Sequence, residues 1–289
     1  VIIMPPGTES ASYKSFNCDT VRSLVKEIKL NDESKYAPFT RYLLSGDKGH
    51  IPSVWSEAGI NLMGKVIGSE LPSQYIMDQE WKHNWFEDCD GSDDPLDMKA
   101  AMLVVARAED ELLVPWYDMA NHRNGHWLNT VSETVYGKKF EVRASRIIEA
   151  GEQIYNSYNM CDECGGRAET YHTPDILKDY GFVESMPQRW YFDDDDEYEF
   201  GFNLDHENGT DKLKVSWIDP PMPPSYEIEY FREQLQHLDL VIQEKNQRNG
   251  IPDNEWGVIW QYHEALTKAI TSAIEDIERF SLEEEGIEL

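Results

Sequence analysis

Trp116-Tyr117-Asp118-Met119-Ala120-Asn121-His122, then Ala150-Gly151-Glu152-Gln153-Ile154-Tyr155-Asn156-Ser157-Tyr158, then Asp179-Tyr180-Gly181-Phe182-Val183-Glu184 are the parts of one stretch, residues 112–184, on which the reading of this chain turns. The first part follows a short apolar run, Leu112-Leu113-Val114-Pro115, and ends on an Asn-His pair. Over residues 127–154 the pattern changes. Val131, Thr134, Val135, Tyr136, Phe140 and Val142 are β-formers, and Gly137-Lys138-Lys139 splits them as a hairpin turn would. Glu149-Ala150-Gly151-Glu152 reads as a turn that leads into a strand over 153–158. Thr173-Pro174 opens a helix, because proline fits a first turn, and that helix stops near Tyr180-Gly181.

Working outward, the chain before this stretch reads as helical. Residues 19–30 place Val21, Leu24, Val25 and Ile28 at three- and four-residue spacing behind a capping Asp19. A short helical unit starts at Tyr36-Ala37-Pro38-Phe39 and ends at Gly46, and Ser56 caps a helix over 57–67. Residues 74–86 read as a further helix and 87–97 as an acidic loop. Residues 98–107 are apolar nearly all round, the pattern of a buried helix. After the central stretch, Asp193 to Asp196 is a run of four acids that reads as an exposed loop, and Pro220-Pro221-Met222-Pro223-Pro224 as a rigid linker. Two amphipathic helices close the chain, over 226–244 and 254–280. Helices, then short strands, then helices make an α+β order rather than alternating βαβ. The boundaries expected are a domain over 1–220 with a helical insert at about 31–110, and a C-terminal helical lobe over 221–289. The lobe is expected to pack on the domain beside a substrate groove.

The three parts quoted above resemble the C-terminal half of the SET domain. The branch in question holds the RuBisCO large-subunit methyltransferases and the actin-histidine methyltransferase. It carries a D-x-x-N-H element, a G-E-Q turn and strand ending in Tyr, and a helix closing on Y-G-F, in that order. The resemblance implies a SET-domain β-fold with an inserted helical region, and S-adenosylmethionine as cofactor. It implies methyl transfer to a protein side-chain nitrogen, lysine ahead of histidine. Tyr158 matches the tyrosine placed beside the transferring methyl group. Asn121 and His122, with Tyr158, match the cofactor-holding residues, and Tyr117, Tyr180 and Phe182 match a substrate channel. The family's Gly-x-Gly cofactor loop has no counterpart here. Pro6-Gly7-Thr8 is no substitute, and the chain reads as starting after that loop. The alternative reading is a catalytically inactive SET-like module that binds a basic protein partner.

Charge and cysteine usage bound the rest. With 26 basic and 55 acidic residues the net charge is −29, which repels phosphate backbones and attracts basic protein partners. Nucleic-acid binding is therefore not expected. Nor is membrane insertion, since no run approaches the roughly 18 apolar residues of a membrane helix. Four cysteines in 289 residues do not make a disulfide scaffold. Cys161-x-x-Cys164 supplies two of the four ligands of a structural zinc, and nothing in the sequence brings Cys89 or His172 to complete it. The pair reads as plain loop, and no metal is expected. Asn208-Gly209-Thr210 is a glycosylation sequon of a kind that arises often by chance. The compartment is left open, with an intracellular one favoured.

Overall fold

The computed structural model describes residues 18–45, 51–68, 76, 80–108, 113–135, 139–159, 171–194, 198–219, 224–248 and 250–284. Helices α1 (Cys18–Leu30), α2 (Ala37–Ser45), α3 (Glu57–Ile67), α4 (Glu80–His83) and α5 (Pro95–Val105) come first. Strands β1 (Asn121–His122), β2 (Thr130–Val135), β3 (Lys139–Ala144) and β4 (Tyr155–Asn156) follow. Then come helix α6 (Thr173–Tyr180), strands β5 (Gln188–Asp194), β6 (Tyr198–His206) and β7 (Leu213–Asp219), and helices α7 (Pro224–Val241) and α8 (Asp253–Glu284). The mixture of helix and small sheets is that of an α+β chain. The described residues divide into two compact units. The first falls within Val1–Ile51, Asp78–Tyr158 and Asp179–Gly181, the second within Pro52–Met77, Asn159–Lys178 and Phe182–Leu289.

In the first unit, α1 buries Val21 and Leu24 completely and packs on α5, whose Ala100 and Ala101 are equally buried. Small side chains on α5 allow that close approach. The α5 helix starts three residues earlier than the apolar run suggests, inside the expected loop. Asp94 accepts a hydrogen bond from the Leu96 amide at 2.8 Å, and Pro95 occupies the first helical position, so the polar Asp-Pro pair is a start signal and not loop. Helix α4 runs on into a π turn, Asn84–Asp88, that carries the chain to Cys89. Cys89 is disulfide-bonded to Cys18, across 71 residues and with Cα atoms 5.3 Å apart. Arg22 on α1 donates to the Cys89 carbonyl oxygen beside the bond. Cys89 is thereby withdrawn from any metal site, while Cys161 and Cys164 lie outside the described residues.

In the second unit, β5, β6 and β7 form an antiparallel sheet in that order. Trp190, Phe192, Phe202 and Leu204 point to one face and are fully buried, two residues apart along each strand. This sheet corrects the reading of the acid run: Asp193 and Asp194 are the last residues of β5, and 195–197 lie outside the described residues. Helices α7 and α8 pack on each other, and α8 packs on β7 and α3. The α8 residues Ile259, Tyr262, Leu266, Ile270 and Ala273 are all fully buried. Phe231 of α7 meets Phe192 edge-on, with ring centroids 5.1 Å apart. Helix α7 ends at Val241, three residues short of the expected end, and Ile242 is left exposed on the 3-10 turn that follows. Of the expected linker, 220–223 lie outside the described residues, and Pro224 is already the first residue of α7.

One cap in this unit is assembled from distant parts of the chain. Ser56 caps α3 and accepts from the Gly59 amide at 3.1 Å. In a capping box the third helical residue would be a Glu reaching back to the cap amide. Gly59 stands there instead, and the carboxylate comes from Glu255 of α8, 199 residues away. Glu255 accepts from the Ser56 amide at 3.0 Å and from its hydroxyl at 2.6 Å. A Cβ at position 59 would lie 2.2 Å from the Glu255 carboxylate oxygen, so the arrangement requires glycine.

Two outcomes follow for stability. A Cys18→Ser, Cys89→Ser double variant, or the reduced protein, should lose about 4 kcal/mol in denaturant unfolding, the entropy expected for opening a loop of this length. An unchanged unfolding midpoint would exclude the bond from the folded protein. Gly59→Ala should cost about 1–3 kcal/mol in the wild type, by leaving the Ser56 groups poorly paired. In a Glu255→Ala background it should cost much less. Equal costs in both backgrounds would show that the two sites are uncoupled.

Candidate active site

The first unit brings the two central motifs side by side through strands of only two residues each. β1 and β4 run parallel, with Asn121 opposite Tyr155 and His122 opposite Asn156. Parallel neighbours need a long crossover, and the antiparallel hairpin of β2 and β3 supplies it. The turn before β4 forms as the sequence suggests. Gly151 takes φ +87°, a backbone conformation glycine adopts without strain, and the Glu152 amide donates to the Glu149 carbonyl at 3.0 Å. The strand itself is shorter than the expected 153–158.

So short a pair of strands has few ladder hydrogen bonds, and side chains supply the rest. Asn129 is fully buried. Its amide oxygen accepts from the Tyr155 N–H at 2.8 Å, and its nitrogen donates to the Gln153 carbonyl at 2.9 Å. Thr130 donates to the Tyr155 carbonyl at 2.7 Å, and the Arg123 amide donates to the Asn156 carbonyl at 3.0 Å. Asn156, also buried, donates to the Tyr117 hydroxyl, which in turn donates to Ser132 Oγ at 2.8 Å. The Tyr117 ring is buried, and its hydroxyl is engaged between β4 and β2.

Tyr158 is held from two directions. Its backbone N–H donates to Nδ1 of His122 at 3.0 Å, and its hydroxyl donates to the Ala120 carbonyl at 2.7 Å. Accepting at Nδ1 places the proton of a neutral His122 ring on Nε2. The His122 and Tyr158 ring centroids lie 5.1 Å apart, and those of Tyr158 and Tyr180 4.6 Å apart. Gly181, at φ +75°, ends α6 directly after Tyr180 and fixes where that ring sits. The Asn121 side chain is exposed on β1 and has no hydrogen bond among the described residues. Phe182 belongs to the second unit, where it is half-buried.

Sequence reasoning passed over two residues of this region. Asn129 sits in a polar stretch with no periodic signal. Arg107 ends an apolar run and reads there as a helix terminus. In the structure Arg107 donates to Asp118 at 3.0 Å, and both side chains are largely buried. Burial pushes the Asp118 carboxyl above its usual range, with Arg107 pulling it part of the way back. Burial works to lower the Arg107 guanidinium, but Asp118, with smaller help from Tyr42 and Tyr158, raises it overall. The guanidinium also interacts electrostatically with Tyr42 and Tyr158. Nε of Arg107 and Oδ2 of Asp118 are buried with no hydrogen-bond partner among the described residues. No group of three or more His, Cys, Asp or Glu side chains placed to hold a metal occurs among the described residues. None of their helices is long and apolar enough to cross a membrane.

No known protein family, characterised protein or solved structure matches the chain.

The turn that feeds β4 carries a pH-dependent contact. Arg146 pairs with Glu152, which also accepts from the Glu149 amide at 2.9 Å, and the Arg146 hydrogen bond is the main reason that the Glu152 carboxyl falls from 4.5 to about 2. A carboxylate whose pKa is depressed by folding stabilises the fold above its ordinary pKa, and loses that contribution as pH drops toward the folded value. Glu152→Gln should therefore melt at a lower temperature than wild type at pH 7, and the gap should close between pH 4.5 and 2. A gap that stays constant over this window would mean that the pair contributes nothing.

Proposed function

We propose that this chain transfers methyl groups from S-adenosylmethionine to a protein side-chain nitrogen, lysine ahead of histidine, on a substrate rich in basic residues. The carrying observation is the pairing of β1 with β4, which sets His122 and the exposed Asn121 beside a strand that is followed, two residues on, by a doubly held Tyr158. Two features support a fit to the cofactor: the exposed Asn121, and the buried Arg107 Nε and Asp118 Oδ2, which have no hydrogen-bond partner among the described residues. Asn121, through its amide, and His122, through its backbone, are the residues that would hold the cofactor. When bound, it supplies a methyl group already activated on a sulfonium.

The chain's own part is placement. The Tyr158 hydroxyl donates a hydrogen bond to the Ala120 carbonyl, and a phenol oxygen that donates can also accept. That oxygen can orient the N–H of an incoming neutral amine or imidazole, and catalysis then rests on holding that nitrogen in line. The facing rings of Tyr158 and Tyr180 supply an aromatic wall that narrows access and excludes water. The net charge of −29 draws in a basic substrate. The competing reading, an inactive module that binds a basic partner, draws on the same acidic charge.

Calorimetric titration with S-adenosylmethionine separates the two readings, with binding expected in the wild type and lost in Asn121→Ala. Tyr158→Phe should keep that binding and lose methyl transfer to a basic protein substrate by roughly a hundred-fold or more. A wild type that takes up no cofactor would leave the inactive module. A Tyr158→Phe enzyme as fast as wild type would remove the tyrosine from the mechanism.

A further inference from the structure

Two observations that the methyl-transfer reading does not use point to one place. The triplet Asn208-Gly209-Thr210 is the single Asn-x-Ser/Thr sequon in the sequence. It falls on the 3-10 turn Glu207–Gly209 that joins β6 to β7. The turn closes on itself, with the Glu207 amide donating to the Lys212 carbonyl at 2.8 Å and the Thr210 amide to the Glu207 carbonyl at 3.0 Å. Gly209 and Thr210 are exposed, and a Cβ on Gly209, at φ +74°, would meet nothing within 4 Å. The turn thus has open space at Gly209, at one end of the β5 to β7 sheet. The buried aromatic face of that sheet is formed by residues further along its strands, Trp190, Phe192 and Phe202.

A sequon alone is weak, since so short a pattern is common. The second observation is the bond between Cys18 and Cys89, with Cys89 only 2 % exposed. A disulfide that closes 71 residues inside a folded unit persists in an oxidising compartment, and cytosolic reductants remove such bonds from most proteins. The compartment that forms disulfides in secreted proteins is also the one that places oligosaccharides on asparagine sequons. The bond lies in the first unit and the sequon in the second, so neither brings the other about.

We infer that Asn208 is a modification site, accepting an oligosaccharide from a lipid-diphosphate-linked donor in the oxidising compartment where Cys18 and Cys89 join. In that transfer a bond forms between Asn208 Nδ2 and C1 of the first sugar. The C1–O bond to the diphosphate breaks, and its electron pair leaves with the lipid diphosphate. One amide proton passes to a base of the transferase. Thr210 is the hydroxyl residue of the sequon. Its Oγ1 donates to the Glu207 carbonyl at 2.7 Å and accepts from the Lys212 amide at 3.3 Å, two bonds that serine can also make.

The test is expression of the full chain behind a cleavable secretory leader in a eukaryotic cell, followed by peptide mass mapping with and without reduction. The expected result is one oligosaccharide on the peptide carrying Asn208, removed by a glycan-specific amidase that leaves aspartate behind. It should be absent from Asn208→Gln and Thr210→Ala and retained in Thr210→Ser, and the Cys18 and Cys89 peptides should be joined before reduction. A secreted, folded wild type with unmodified Asn208 would overturn the assignment. So would the recovery of Cys18 and Cys89 as separate thiols, because the compartment would then have no structural mark.

Discussion

The first unit depends on one buried amide. Strands of two residues have too few ladder hydrogen bonds to hold themselves in register, and β1 and β4 are both that short. Asn129 supplies what they lack, by accepting from the N–H of Tyr155 and donating to the carbonyl of Gln153. A buried amide left without those partners would cost about 1–3 kcal/mol, so strand and amide each require the other. Because β4 is fixed there, Tyr158 emerges two residues later at a set height, within reach of His122 and of the Ala120 carbonyl. The position of the candidate catalytic oxygen thus rests on a residue hydrogen-bonded to β4 and to Gln153, two residues before that strand.

The second unit is governed by apolar area. Its sheet offers Trp190, Phe192, Phe202 and Leu204 on one face, and each such side chain gains about 1.5–3 kcal/mol from burial. Helices α7 and α8 supply the opposing surface through Phe231, Leu238, Tyr262 and Leu266. Apolar packing has little directional preference, and the Glu255 carboxylate at the Ser56 cap adds direction. It joins the start of α8 to the start of α3 at a point where only glycine leaves room.

Charge plays two different parts. The acidic excess is a property of the surface, and bears on solubility and on which partners approach. The Arg107–Asp118 pair is the opposite case, nearly dry and short of hydrogen bonds on both sides. A buried pair of that kind contributes little net stability.

By itself the sequence determined the local pieces. The spacing of Val21, Leu24 and Val25, the Ser56 cap, the turn at Gly151 and the stop at Gly181 each follow from interactions between near neighbours, and each forms as read. The β5 to β7 sheet also left a local trace, the alternation of Trp190, Phe192, Phe202 and Leu204. The acid run beside it masked that signal, because a charged strand end looks like a loop when its partner strand is not in view. Only the tertiary structure decided the rest. The Cys18–Cys89 bond, the Glu255 carboxylate at the Ser56 cap, Asn129 beneath β4 and the Arg107–Asp118 pair all join residues that no helical or strand period relates. Such contacts depend on how the chain returns on itself. Residue spacing reports which face of an element is apolar, and not which distant side chain will complete its hydrogen bonds.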